Sequence, residues 1–165
     1  NGLLGRLIRT MKLRIRICAE DVLAGLFRQQ ERSDTPTIFA NASLAECQSM
    51  AGNGLLAGAA VRWLRGRRLL KQEGLLLSLT DRGATYAQSL VRSHRLWESY
   101  LLEKFDLPPD HLHDPAETME HFIGPDMQQE ITQELAAPAE DPHGRVIPGT
   151  HREAGGVAGE RAEKN

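Results

Sequence analysis

Sulfur, aromatic rings and long apolar runs are all scarce in this chain. Two cysteines in 165 residues are too few for a disulfide framework, and Cys18 and Cys47 lack the close spacing of a thiolate metal site. A reduced, intracellular setting is the default that follows. No stretch approaches the ~18 consecutive apolar residues that would span a bilayer, and no secretory signal pattern is present. Aromatics make up 5% of the chain, so any core must be largely aliphatic. The hydrophobic fraction of 41% suffices for one medium domain or two small ones, and the charged fraction of 25% is ordinary. A net charge of −2 hides an uneven distribution. The first nineteen residues hold Arg6, Arg9, Lys12, Arg14 and Arg16 and no acid. The middle is basic again from Arg62 to Lys71, while acid gathers between Glu98 and Asp141. A basic front and an acidic back suit a polyanion at one end and a cation at the other. The opening on Asn rather than Met leads to the expectation of a piece of a longer protein.

Along the chain, residues 1–17 alternate apolar with basic. Two readings stay open there: an amphipathic basic helix, or a tail leaving a membrane. From Ile17 to Glu31 the period is helical, with Val22, Leu23, Leu26 and Phe27 on one face. Ser33-Asp34-Thr35-Pro36 breaks it. Ser43 begins a short helix to Met50, Gly52-Asn53-Gly54 turns, and a second helix follows from Leu55 to about Leu64. That is a helix-turn-helix pattern. Between Leu69 and Leu79 two short strands turn at Glu73-Gly74, which completes a winged-helix order. Thr80-Asp81-Arg82-Gly83 caps a long helix over 81–105. An acidic helix is expected from Pro115 to about Ile123, with Asp114 as its N-cap. A last helix runs from Asp126 to about Ala136, Asp141 to Pro148 forms a rigid loop, and the polar tail beyond Gly149 is expected to be disordered.

The stretch His113-Asp114-Pro115-Ala116-Glu117-Thr118-Met119-Glu120-His121 carries the chemistry. On a helix, Glu117, Glu120 and His121 fall at i, i+3 and i+4 and share a face. Two carboxylates and an imidazole there make half a site for manganese, iron(II), cobalt or zinc. The plainer readings are a capping box closed by Glu117 and a solvated helix face. A second imidazole–carboxylate pair, His94 and Glu98 at i, i+4, favours metal. His111 reads as a loop residue.

The order of three blocks resembles the DtxR/MntR family of metal-dependent regulators. They are His94-Arg95-Leu96-Trp97-Glu98, then His113-Asp114 through Glu120-His121, then Asp141-Pro142-His143-Gly144 ending in Ile147-Pro148. The resemblance covers about residues 17–148. It implies a mostly α fold, with a winged helix-turn-helix followed by a helical metal-binding and dimerisation domain. The corresponding division is a basic leader (1–16), a winged helix (17–80), the helical domain (81–148) and a tail (149–165). It places His94, Glu117, Glu120 and His121 on metal-ligand positions, and Glu98 and His113 on an ancillary site of iron-type members. Asp21 matches a further ligand of manganese-type members, whose next carboxylate is Ala24 here. Glu117 stands where iron-type members carry Cys and manganese-type members Glu, so manganese is favoured, with iron and zinc also open.

The second helix of the helix-turn-helix departs from a DNA reader. Leu55-Leu56-Ala57-Gly58-Ala59-Ala60-Val61 offers no hydrogen-bonding side chain to a base edge. Arg62, Arg65, Arg67 and Arg68 are left to contact phosphates, acidic side chains or a membrane surface. Two functions follow. One is the cytosolic regulatory tail of a metal ABC transporter permease, at the inner face of a membrane, with the basic leader obeying the positive-inside rule. The other is a free-standing metal-dependent DNA-binding repressor in the cytoplasm. A homodimer is expected in either case. No nucleophile motif or substrate cleft points to an enzyme.

Overall fold

The computed structural model describes residues 2–33, 41–52, 54–105, 107–108 and 111–149. The expected break at Asp34-Thr35-Pro36 and the tail beyond Gly149 lie outside these. The chain divides into two compact units, Asn1–Gln88 and Ser89–Asn165, and each is described by itself.

The first unit opens on α1 (Leu3–Glu31), a single helix of 29 residues. The basic leader and the apolar-periodic segment are therefore one element. Ala19, Val22, Leu23 and Leu26 follow the i, i+3, i+4, i+7 rule of a helical face and are all fully buried. Next come β1 (Ala42–Ser43), α2 (Leu44–Met50), α3 (Gly54–Gly66), β2 (Leu70–Glu73) and β3 (Leu76–Leu79). Ser43 caps α2 as expected: its hydroxyl accepts from the Glu46 N–H at 3.2 Å, and its own N–H donates to the Glu46 carboxylate at 2.7 Å. This reciprocal capping box satisfies two orphan donors of the helix start. The sheet is antiparallel in the order β1-β3-β2. Leu70 pairs with Leu79 and Glu73 with Leu76, leaving Gly74-Leu75 as a two-residue turn. Gly74 has φ +62°, the conformation such a hairpin asks of its first turn residue. β1 was not expected; two residues are too few to show an alternating pattern. Ala57 and Ala60 on α3 are fully buried, and such small side chains permit a close approach to α1.

Gly83 lies at the start of α4 (Asp81–Phe105), where the Thr80 N–H and hydroxyl both donate to the Leu69 carbonyl. A Cβ on Gly83 would stand 2.0 Å from that same oxygen. Gly83→Ala must push backbone away from backbone, an overpacking that costs about 1–3 kcal/mol. Calorimetry should show a melting point lowered by several degrees. An unchanged melting point would mean the wing moves aside freely.

In the second unit, α4 continues to Phe105 and is followed by α5 (His113–Met119) and α6 (Pro125–Glu134). The expectation for α5 needs correction. The helix begins at His113, not at Pro115, and its N-cap is Leu112, with no side-chain bond. Asp114 and Pro115 sit inside the first turn. Proline is tolerated there because the first N–H groups of a helix have no internal partner. α5 also ends at Met119, short of Ile123, because the Phe122 and Ile123 N–H groups fold back onto the Met119 carbonyl. That turn drives Ile123 into a core with Leu96, Ile131, Leu135 and Ile147, against which Trp97, Tyr100 and Met119 pack. α6 closes just after Glu134, and Ala136 and Ala137 adopt left-handed φ of 53° and 57°.

The loop after α6 is tied to α4 by two buried arginines. Arg92 donates to the Pro148 carbonyl at 2.6 Å and to the Thr132 hydroxyl at 2.9 Å. Arg95 donates to the Val146 carbonyl at 2.6 Å and stands 3.6 Å from the Asp141 carboxylate. Asp141 shapes the loop from within, accepting from the N–H groups of His143 and Arg145 at 2.9 Å each.

Candidate metal centre

α4 supplies the floor of the centre. His94 and Glu98 are one turn apart and buried, with 2% and 0% exposure. His94 Nε2 lies 3.1 Å from Glu98 Oε1. The first residue of α5 adds a second imidazole: His113 Nδ1 is 3.3 Å from Glu98 Oε1 and 3.2 Å from His94 Nε2. The two rings meet edge to face, with centroids 4.9 Å apart. The loop brings a third, His143 Nε2, to 3.7 Å from Glu98 Oε1. His94, Glu98 and His113 each offer a ligand atom within 4.8 Å of the others.

Burial by itself would raise the Glu98 carboxyl. Hydrogen bonds from His94 and His113 and the charges of His94 and His143 outweigh it and hold the group below its ordinary value. Behind His94, Glu120 Oε2 approaches Nδ1 at 2.7 Å. With a metal bound, a carboxylate there would hold a proton on Nδ1 and leave the Nε2 lone pair for the ion, the arrangement usual behind metal-ligating histidines. Glu98 Oε2 is buried and has no hydrogen-bond partner among the described residues. An orphaned carboxylate oxygen beside two imidazole nitrogens suits a divalent cation, so the donor set fits the metal that the resemblance implies.

The expected ligands thus divide. His94, Glu98 and His113 come together, with Glu120 against the far side of His94. Glu117 is exposed on α5 and His121 is half-buried in the turn after it. α5 ends before Glu120 and His121, yet these two still offer ligand atoms within 4.8 Å of each other; Glu117 is not grouped with them. Asp21 is half-buried on α1 in the first unit, and Ala24 is fully buried in that unit's core, with no carboxylate to offer. His143 was missed as a candidate. Its signal was the loop motif itself: a histidine between Pro142 and Gly144, in a loop stiffened by Asp141.

Comparison with known proteins now bears on this geometry. Residues 80–149 match the family described as "Iron dependent repressor, metal binding and dimerisation domain". Over this segment the chain is similar to the metal-binding and dimerisation domain of iron-dependent repressors. The chain is 44% identical over 79 residues to a "Probable metal transport system membrane protein" of Chlamydia trachomatis, covering 48% of this chain and 18% of that protein. It is 32% identical over 103 residues to the diphtheria toxin repressor of Corynebacterium jeikeium, covering 62% of this chain and 43% of the repressor. The chain therefore spans less than half the length of either relative. Among solved structures it resembles a manganese-dependent transcriptional repressor in complex with manganese, at 32% identity and a TM-score of 0.68. That likeness covers 79% of this chain and 58% of the other. A mostly helical, DtxR-like fold with a winged helix is thereby established.

On the winged helix, Arg62, Arg65, Arg67 and Arg68 are all exposed. Arg67 lies over the Trp63 ring at 4.3 Å. Leu55, at the leading end of α3, is 95% exposed. No helix among the described residues is long and apolar enough to cross a membrane.

Proposed function

We propose that this chain is a divalent-metal-responsive domain, the cytosolic regulatory tail of a metal ABC transporter permease. The observation that carries the metal reading is the buried pair His94 and Glu98 with the exposed His113 at its edge, and Glu98 Oε2 without a hydrogen-bond partner among the described residues. His143 is the fourth donor at its rim. Three imidazoles and one carboxylate admit iron and zinc as well as manganese; manganese is put first because Glu117 stands where iron-type members carry Cys. A bound ion supplies a double positive charge at the meeting point of α4, α5 and the 141–147 loop. The residues themselves do the rest: Glu120 fixes the tautomer of His94, and Asp141 holds the backbone that carries His143. Glu117, Glu120 and His121 remain proposed donors for a further ion, and Asp21 a proposed ligand on α1. The proposed division is leader 1–16, winged helix 17–80, metal and dimerisation domain 81–148 and tail 149–165. The homodimer and the site at the inner face of a membrane belong to the same proposal, and no catalytic step is assigned.

Two facts support attachment to a transporter over a free repressor. The chlamydial relative is named as a metal transport system membrane protein. The leading end of α3 presents an exposed leucine where a base reader needs a polar side chain. The repressor reading draws on the likeness to the manganese-dependent repressor and on the four exposed arginines. Calorimetric titration with Mn²⁺, Fe²⁺, Co²⁺ and Zn²⁺, run with and without a pool of random duplex DNA, separates them. Metal binding without metal-dependent selection of DNA is the expected result. Enrichment of one palindromic sequence would move the function to repression. No metal binding would sink both.

A further inference from the structure

The first turns of α1 do something the rest of that helix does not. From Ala19 onward its apolar face is buried, but Leu4, Leu7, Ile8 and Met11 are exposed by 70%, 59%, 46% and 40%. These four recur at i, i+3, i+4 and i+7, so they form one stripe. Arg6, Arg9 and Lys12 fall on the other side of the wheel, Arg14 flanks the stripe, and all four are exposed. Arg16 is already paired with Glu20 at 3.7 Å. No acid occurs from Leu3 to Ala19.

We propose that this end of α1 lies on an anionic lipid surface, with the leucine stripe entering the acyl boundary and the cations on lipid phosphates. The composition selects this occupant over two others. A second copy of the chain would bring the four cations Arg6, Arg9, Lys12 and Arg14 against four more, with no acid from Leu3 to Ala19 to offset them. A nucleic acid would engage the cations and leave the apolar stripe in water. A bilayer of anionic lipid satisfies both halves at once, as for other amphipathic helices that lie in the interface plane. The inference rests on the transporter reading only for a membrane within reach.

The test is co-sedimentation of the full chain with vesicles of phosphatidylglycerol and phosphatidylcholine in equal parts, against pure phosphatidylcholine, without metal. Binding to the anionic vesicles alone is expected, weakening as salt is raised. Arg6→Glu/Arg9→Glu/Lys12→Glu/Arg14→Glu should reduce it more than about 100-fold, at about fivefold per cation removed. Leu7→Gln/Met11→Gln should reduce it at least about tenfold. Circular dichroism of both variants, whose changed residues are exposed, should match the parent. No binding to anionic vesicles overturns the proposal. So does binding that survives Leu7→Gln/Met11→Gln and is matched by duplex DNA, which would mean charge alone. A dimer that dissolves in both variants without lipid would assign the stripe to a second copy. The metal titration above is independent of all these outcomes, so either idea can fail while the other stands.

Discussion

With Mn²⁺ at a hundredfold excess over its dissociation constant, the chain gains about 2.7 kcal/mol of stability, and Glu98→Gln removes both that gain and one bound ion. Glutamine keeps the shape of the side chain and loses its charge. It fills the same volume in a position with 0% exposure, so no cavity forms. It gives up the charge, and it presents an amide in place of the oxygen that faces His94 and His113. In the metal-free chain the substitution has a cost of its own, because it gives up the bonds from His94 and His113 and the charge attraction that hold Glu98 ionised. The variant then melts somewhat below the parent without metal, and the difference widens when metal is added. Imidazoles ligate only when deprotonated, so the gap narrows as the solution is acidified. Calorimetric stoichiometry and melting curves with and without Mn²⁺ are the measurements. A variant that binds as many ions as the parent would show that the unsatisfied oxygen is not a ligand.

Much of this was legible from residue order. Helix periods, the Ser43 cap and the turn at Gly74 are local signals, and they placed α2, α3, the wing and α4. His94 and Glu98 were readable as a pair because a helix puts i and i+4 together. What local signals could not reach was the partner of that pair. Glu120 and His121 stay within reach of one ion, but Glu117 would share their face only if α5 ran past Met119, and the turn that carries Ile123 into the core comes first. Glu120 consequently meets the other nitrogen of His94. His143 is distant from His94 in sequence, and it reaches Glu98 only because Arg92 and Arg95 fasten its loop. No spacing rule encodes such a contact. The long α1 hid for another reason: its amphipathic pattern was visible, but that it continues without a break into the buried core depends on packing.

Arg95→Met destabilises the chain by about 3–5 kcal/mol, the cost of stranding a buried charge whose partner is removed. Arg95 and Asp141 are 4% and 6% exposed, and their charged atoms stand 3.6 Å apart. Methionine replaces the apolar stem but supplies neither the cation nor the donor to the Val146 carbonyl. On a typical total of about 5–15 kcal/mol, that loss leaves the domain marginal. Arg95→Met/Asp141→Asn then recovers a large part of it. Asparagine is neutral, yet its carbonyl still accepts from the His143 and Arg145 N–H groups as Asp141 Oδ1 does. The non-additivity of the two substitutions measures the pair. Metal binding adds a second readout. Neither residue is a proposed ligand, yet the single variant loosens the loop that holds His143 and so weakens Mn²⁺, and the double variant restores it. If Arg95→Met unfolds at the parent's denaturant midpoint, the pair is solvated and the loop is held by its own backbone bonds. If stability falls but Mn²⁺ affinity does not, His143 contributes nothing to the centre, and the donor set shrinks to His94, Glu98 and His113.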